Sequence, residues 1–374
     1  GGTHSEHTYD LKDKLVEVKR HGVVRDRYTR DVAGNLIAKH ASDGRLLLQL
    51  EIGPGNLPVK RSLTSGDEHT FEYDKHGRYL VAATKKDKVE FEYDAFRNRC
   101  VEKRNGLGVE QRYCGWNTPA ESVFWGRFSV RYDRMADGTL AITDPGGKKH
   151  KIRFYSHGLI ERQFCNGSGE VAQYDNQGRC LFKQAQRGRN SIWSRCYQWS
   201  GEGELLQIQD SANGTIRYEY DAAHRLRRRL LPNGRCDEFE YDRADNLLRQ
   251  PGLDGVALCE GNRLKVANGE YITYNDRNHI AARKSERGGV IQYFYDSRDQ
   301  LIRVETPQGS WAAEYDALNR RTRKTWHRQN TEYYWNSEQL IAEVAQDGSA
   351  RLYLYADPLS PPSPVVDTLS ITIR

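Results

Sequence analysis

The chain has 374 residues, a small positive excess (57 Lys plus Arg against 51 Asp plus Glu) and only 37% hydrophobic residues, with mean hydropathy −0.84 and yet 22 Tyr, 7 Trp and 10 Phe. That mixture excludes a disordered polar chain, which lacks aromatics, and an excess of +6 on 29% charged residues does not ask for a nucleic-acid partner. No apolar run approaches the roughly 18 residues that would span a bilayer, and residues 1–20 carry no apolar signal core, so synthesis in the cytoplasm without a visible signal peptide is expected.

From the N-terminus the first element is a strand ending at Tyr9-Asp10, and the same ending returns along the chain. Phe71-Glu72-Tyr73-Asp74 and Phe91-Glu92-Tyr93-Asp94 stand 20 residues apart. Anchors fall at positions 9, 30, 51, 73, 93, 113, 132, 155, 174, 199, 220, 241, 274, 295, 315, 335 and 355, most of them 19 to 23 apart. Nine carry the literal pair: Tyr9-Asp10, Tyr73-Asp74, Tyr93-Asp94, Tyr132-Asp133, Tyr174-Asp175, Tyr220-Asp221, Tyr241-Asp242, Tyr295-Asp296 and Tyr315-Asp316. Others keep an aromatic, as in Tyr274-Asn275, Trp199-Ser200 and Trp335-Asn336, and two at Arg30 and Glu51 are recognised by the Gly-Asn-Leu that follows.

Each unit reads as two short strands and two turns. In Phe71-Glu72-Tyr73 the rings share one face, the period-2 pattern of a half-buried strand. The aspartate opens a turn by accepting backbone N–H groups two residues on. Four after the tyrosine comes a residue tolerant of positive φ: Gly77, Gly178, Gly203, Asn278, Asn319, Asp245 or Asp299. An apolar residue six after it restarts the strand (Leu15, Leu36, Leu205, Leu226, Leu247, Ile280, Leu301), and Asn213-Gly214, Asn233-Gly234, Gly288-Gly289 and Asp347-Gly348 supply second turns.

The chain is therefore expected to be all β, a ribbon of about 34 strands on the order of 160 Å long at about 4.8 Å per strand, which must coil or close into a large curved sheet, a hollow shell or part of one. The repeat array is expected over 1–355, with longer loops near 180–195 and 251–270 inside that single array. The seven cysteines (100, 114, 165, 180, 196, 236 and 259) form no C-x-x-C pair and read as reduced thiols packed in a sheet. The basic runs Arg225-Arg229 and Arg320-Arg328 read as charges alternating on solvated strand faces. No hydrolase, nucleotide-binding or zinc-type motif is present, the histidines stand singly, and no catalytic residue, cofactor or metal is expected. Repeated aspartates are better explained by turns than by a glycosidase carboxylate pair, of which one enzyme needs only one.

With Tyr73-Asp74-Lys75-His76-Gly77-Arg78, Tyr174-Asp175-Asn176-Gln177-Gly178-Arg179 and the connector Thr143-Asp144-Pro145-Gly146-Gly147, the chain resembles the Rhs/YD-repeat family, whose motif is close to Y-D-x-x-G-R-L, over about Tyr9 to Tyr355. The resemblance implies a strand ribbon spiralling into a non-enzymatic shell. In bacterial members such shells enclose a C-terminal polymorphic toxin domain, in type VI secretion effectors, wall-associated contact-dependent proteins and insecticidal toxin complexes; in animal teneurins they serve adhesion. It further implies polypeptide cargo, secretion-apparatus or chaperone partners, and export as part of a toxin system. Residues 356–374, opening with Ala356-Asp357-Pro358-Leu359, resemble the start of the Rhs-associated core; the family's D-P-x-G-L self-cleavage motif is not matched, and no toxin domain is expected within the sequence. The competing reading is a surface adhesin or carbohydrate-binding module that uses exposed aromatics such as Trp193 and Trp199.

Overall fold

A computed structural model describes residues 5–20, 23–115, 118–259, 261–286, 288–355 and 368–373. It contains thirty-seven strands and two single-turn 3-10 segments, and there is no α-helix among the described residues. Consecutive strands pair antiparallel through short turns. The chain is thus all β, as the period-2 pattern and regular turn residues require.

The described chain divides into two units, residues 1–109 with 255–353 and 372–374, and residues 110–254 with 354–371. One division falls at 254/255, inside the Pro-Gly-rich segment that reads as a loop within the array. In the first unit, strands from Ser5–Tyr9 to Arg99–Arg104 and from Ala257–Cys259 to Gln339–Ala345 form two meanders. They meet around Phe71, Ala82, Val89, Phe91 and Ala317, with Tyr73, Tyr79, Tyr93 and Leu318 packed against that cluster. In the second unit, Pro119–Phe124 to Cys236–Glu238 form the meander, Glu240–Tyr241 and Leu247–Arg249 pair as a separate two-stranded sheet, and the most deeply buried side chains include Val130, Leu140 and Ile142.

The excess length near 180–195 is not a loop. It lengthens two strands, Cys180–Arg187 and Asn190–Trp199, which pair through a tight turn at Gly188, where φ is 59°. The physical reason is local: Phe182, Ile192 and Trp193 are strand formers, and one positive-φ glycine suffices to reverse the chain. Near 251–270 irregular backbone is confined to about 251–256, and the remainder makes an additional short hairpin, Ala257–Cys259 with Arg263–Ala267. Residues 356–367, where the core-like segment begins, lie outside the described residues; Thr368–Ile373 is a strand.

Eleven aromatic anchors, at 9, 73, 93, 174, 199, 220, 241, 274, 295, 315 and 335, sit beside a β-bulge. Tyr73 pairs with Tyr79 while Glu72 pairs with Val81, so Leu80 is an extra residue in the returning strand. Leu181, Arg227, Leu248, Ala281, Ile302 and Thr322 occupy the same place in other units. Bulges increase local twist, so a device recurring once per unit bends the ribbon cumulatively.

Candidate functional site

The sequence-marked residues are spread along the ribbon as a ladder rather than gathered in one cleft. Eight of the nine aspartates, at 10, 74, 94, 175, 221, 242, 296 and 316, occupy the same turn: the backbone N–H of each donates to the carbonyl four residues on. In each, Oδ1 accepts the N–H groups at the second and fourth following residues, as Asp74 does from His76 (2.8 Å) and Arg78 (3.0 Å). Positive φ falls three residues after the aspartate, on Gly77, Gly178, His224, Asp245, Asp299 and Asn319, and also on Arg97, which tolerates it less readily.

Asp133 is the exception and corrects the sequence reading. Tyr132 is buried, its strand runs on to Arg134, and Asp133 pairs with Ala141 in mid-strand. Met135 opens the turn instead, with Gly138 at φ 81° and Asp137 Oδ1 accepting from Thr139. No glycine stands three residues after Asp133, whereas Gly138 stands three after Met135. Burial raises the Tyr132 phenol to about 12. Two other anchors shift by one residue: the turns open on Gly53 and Tyr155, so Ile52 and Phe154 hold the ring position.

The arginine that closes the motif links neighbouring units. Arg78, Arg179, Arg225 and Arg320 each donate Nε to Oδ2 of their own aspartate, at 2.6 to 2.9 Å. Each then reaches a carbonyl of the following turn, on Arg97, Ser200, Asp242 or Ser337. Arg78, Arg179 and Arg225 also lie over the next ring, on Tyr93 (4.1 Å), Trp199 (5.8 Å) and Tyr241 (5.0 Å). Loss of hydration works against ionisation of Asp74, but the backbone N–H groups and Arg78 outweigh it and hold its carboxyl down to about 2.

The tyrosines do more than pack a strand. Tyr73, Tyr93, Tyr220, Tyr295 and Tyr315 donate their hydroxyls to the carbonyls of Pro58, Tyr79, Leu205, Ile280 and Leu301, at 2.9 to 3.1 Å. Where tryptophan replaces tyrosine, its indole N–H takes over: Trp199 donates to Cys180 and Trp335 to Arg321, both at 2.8 Å. The aromatic choice at those two anchors was visible in the sequence; the shared donor was not. Tyr9 is exposed, and Tyr174 and Tyr241 are half-buried. Trp199 is committed to this scaffold, with its N–H used and Arg179 over its ring, which leaves it poorly placed to stack a sugar.

In the first unit the two meanders are joined by buried charge. Arg320 bonds Asp316 and Glu102, and Glu102 accepts the Ser337 N–H at 2.7 Å. Arg277 bridges Asp26 (2.9 Å) and Asp299 (2.6 Å), and Arg104 bridges Asp87 (2.9 Å) and Glu332 (3.0 Å). Arg61 donates to His69 Nδ1 (2.7 Å) and to the Ala317 carbonyl (2.6 Å). Burial, then the Arg61 charge, lowers the His69 imidazole to about 4, so its ring is a neutral acceptor. A groove of about 720 Å³ in this unit is lined by Leu47, Asp67, His69, Arg277, Tyr295 and Glu314 among others. The Arg320–Arg328 run is thus not simply solvated: Arg320 is 8% exposed. Cys114, Cys165, Cys196 and Cys236 are exposed rather than packed.

Residues 126–350 match the family model described as Teneurin YD-shell. The chain belongs to the Teneurin YD-shell family. It is 26% identical to the double-stranded DNA deaminase toxin A of Burkholderia cenocepacia, over 97% of this chain and 30% of that protein. It is 24% identical to the toxin protein Tse5 of Pseudomonas aeruginosa, over 46% of this chain and 17% of that protein. In fold it is similar to a chain of the Photorhabdus luminescens Tc holotoxin pore, with TM-score 0.62, 10% identity, and 94% of this chain and 24% of that one covered. The YD-shell segment therefore spans less than a third of the length of these relatives, which are toxins by name, and the match falls on shell repeats, which supports a structural role.

Proposed function

We propose that this chain is a length of wall in a toxin shell, and that its work is to enclose a polypeptide cargo and release it on delivery outside the producing cell. The observation that carries the reading is the ladder. Turn, bulge and ring-to-carbonyl bond recur unit after unit, which suits a continuous curved surface and not a localised cleft. The toxin relatives supply the cargo class, a C-terminal toxin segment, and the match to a shell family supports a structural wall.

The test uses the full-length native protein that contains this segment. On limited proteolysis, the toxin segment should be cleaved at least about tenfold more slowly than the same segment expressed alone, because protection tracks the population of the opened state. Equal cleavage rates in the two contexts would sink the enclosure reading. Appearance of the full-length protein outside producing cells, lost on deletion of its export machinery, tests delivery.

A further inference from the structure

We propose that Asp144, His150 and Cys165 form a zinc-binding site on one edge of the second unit. Asp144 opens the Asp144-Pro145-Gly146-Gly147 turn, and its Oδ1 is used by the Gly146 and Lys148 N–H groups, both at 2.9 Å. The arginine that occupies Oδ2 in the motif turns is replaced by Lys148, and Oδ2 faces His150. His150 lies at the start of the next strand, Lys149–Phe154. Cys165 lies in the turn that follows the strand after that, where the Phe164 N–H donates to the Ser168 carbonyl. Because those two strands form one hairpin, the turns at 144–148 and 164–168 open on the same edge, and one donor atom from each of the three residues lies within 4.8 Å of the other two.

The geometry is that of ligands rather than of hydrogen-bond partners. His150 Nε2 stands 3.5 Å from Asp144 Oδ2, beyond the ordinary N–H···O range. Two donors about 2.0–2.1 Å from a tetrahedral zinc are about 3.3 Å apart, close to that separation. His150 is 5% exposed, and its Nδ1 has no hydrogen-bond partner. Its Nε2 has only the long Asp144 contact, so coordination through that nitrogen would give the buried imidazole a strong bond that it otherwise lacks. Cys165, being exposed, can turn about χ1 to close the remaining distance.

The donor set selects the ion. One thiolate, one imidazole and one carboxylate suit borderline-soft Zn2+ better than Mg2+ or Ca2+, which prefer oxygen alone. Two negative ligands neutralise the ion in a largely buried place. Three protein donors leave a fourth position on the exposed Cys165 side for water or an incoming donor. No such site was legible in the sequence, because its ligands come from two turns and a strand with no paired spacing.

The test is titration of the reduced, chelator-treated full chain with Co2+. One equivalent should raise a thiolate-to-cobalt charge-transfer band and the strong visible bands of tetrahedral cobalt, both erased by Zn2+. Cys165→Ser, at an exposed position, should abolish the charge-transfer band and weaken Zn2+ binding more than about a hundredfold, since even outer-shell losses cost about 10–100-fold. His150→Gln should do the same, and Cys114→Ser should change nothing. Zn2+ should raise the Tm of the wild type and not that of Cys165→Ser. Absence of the band in the wild type, or its persistence in Cys165→Ser, overturns the proposal.

Discussion

Replacing Arg320 by alanine strikes the first unit where its two meanders are held by charge. Arg320 is 8% exposed, Glu102 3% and Asp316 1%. The truncation removes the bonds to both carboxylates and to the Ser337 carbonyl. Breaking a buried pair from one side costs about 3–5 kcal/mol, chiefly because a charge is left without its partner. Here Glu102 keeps the Ser337 N–H and has Arg99 at 3.5 Å, and Asp316 keeps two backbone N–H groups. The lower end, about 3 kcal/mol, is therefore expected. For a unit of this size each kcal/mol moves Tm by about 2–4 °C, so a fall of about 6–12 °C should appear in calorimetry. Urea titration gives the free energy directly, and a cycle with Glu102→Gln should show a coupling of about 2 kcal/mol. A loss below about 1 kcal/mol, or no coupling, would refute the claim that this pair joins the meanders.

Three further outcomes follow from the ladder and the buried histidine. Asp221→Ala should lower the urea midpoint by removing the Oδ1 bonds of the turn and the Arg225 link, whereas Asp133→Ala, in an exposed mid-strand position, should leave it almost unchanged; equal losses would contradict the different placement of the two aspartates. Tyr315→Phe should cost about 1 kcal/mol by leaving the Leu301 carbonyl without its donor, and Trp335→Phe should cost more because ring area is lost as well. His69 is held below its ordinary value, from 6.5 down to about 4, so the unfolded chain binds the extra proton. Its contribution is complete above about pH 6.5 and is lost as the pH falls toward 4. Urea midpoints measured across that window should drop in the wild type and flatten in His69→Gln.

Much of the fold was legible because the repeat states the same local rules many times. The aromatic anchor, the aspartate, the positive-φ residue and the strand restart six residues on are all local, and Asp74, Gly77 and Tyr79 take the places those rules assign. The failures are equally local. Tyr132-Asp133 has the letters of the motif without a residue fit for positive φ three positions later, so the turn moved to Met135. The stretch at 180–195 holds strand formers around Gly188, so extra length became strand and not loop. What could not be read was non-local. Nothing in the sequence pairs Arg320 with Glu102, or Arg277 with Asp26, more than two hundred residues away. The use of the tyrosine hydroxyl was hidden as well, because the strand pattern records only that a ring faces inward.

Two kinds of holding follow, with different consequences for a wall. Along the ribbon, units are tied to their neighbours by backbone bonds, at seven of the anchors described above by a ring donor, and at four by an arginine as well. A lost tie weakens one unit and its neighbours, as in other repeat arrays where stability is nearly a sum of nearest-neighbour terms. Between the meanders of the first unit the ties are few, charged and buried, and each joins segments far apart in sequence. Such contacts carry a large loop-closure cost when they form and are individually expensive to break. For the enclosing wall proposed above, that division would let the ribbon keep its bulges and turns while the charged contacts give way. Arg320→Ala and Tyr315→Phe should therefore part company under proteolysis of the full-length protein. Arg320→Ala should expose the enclosed segment, and Tyr315→Phe should not.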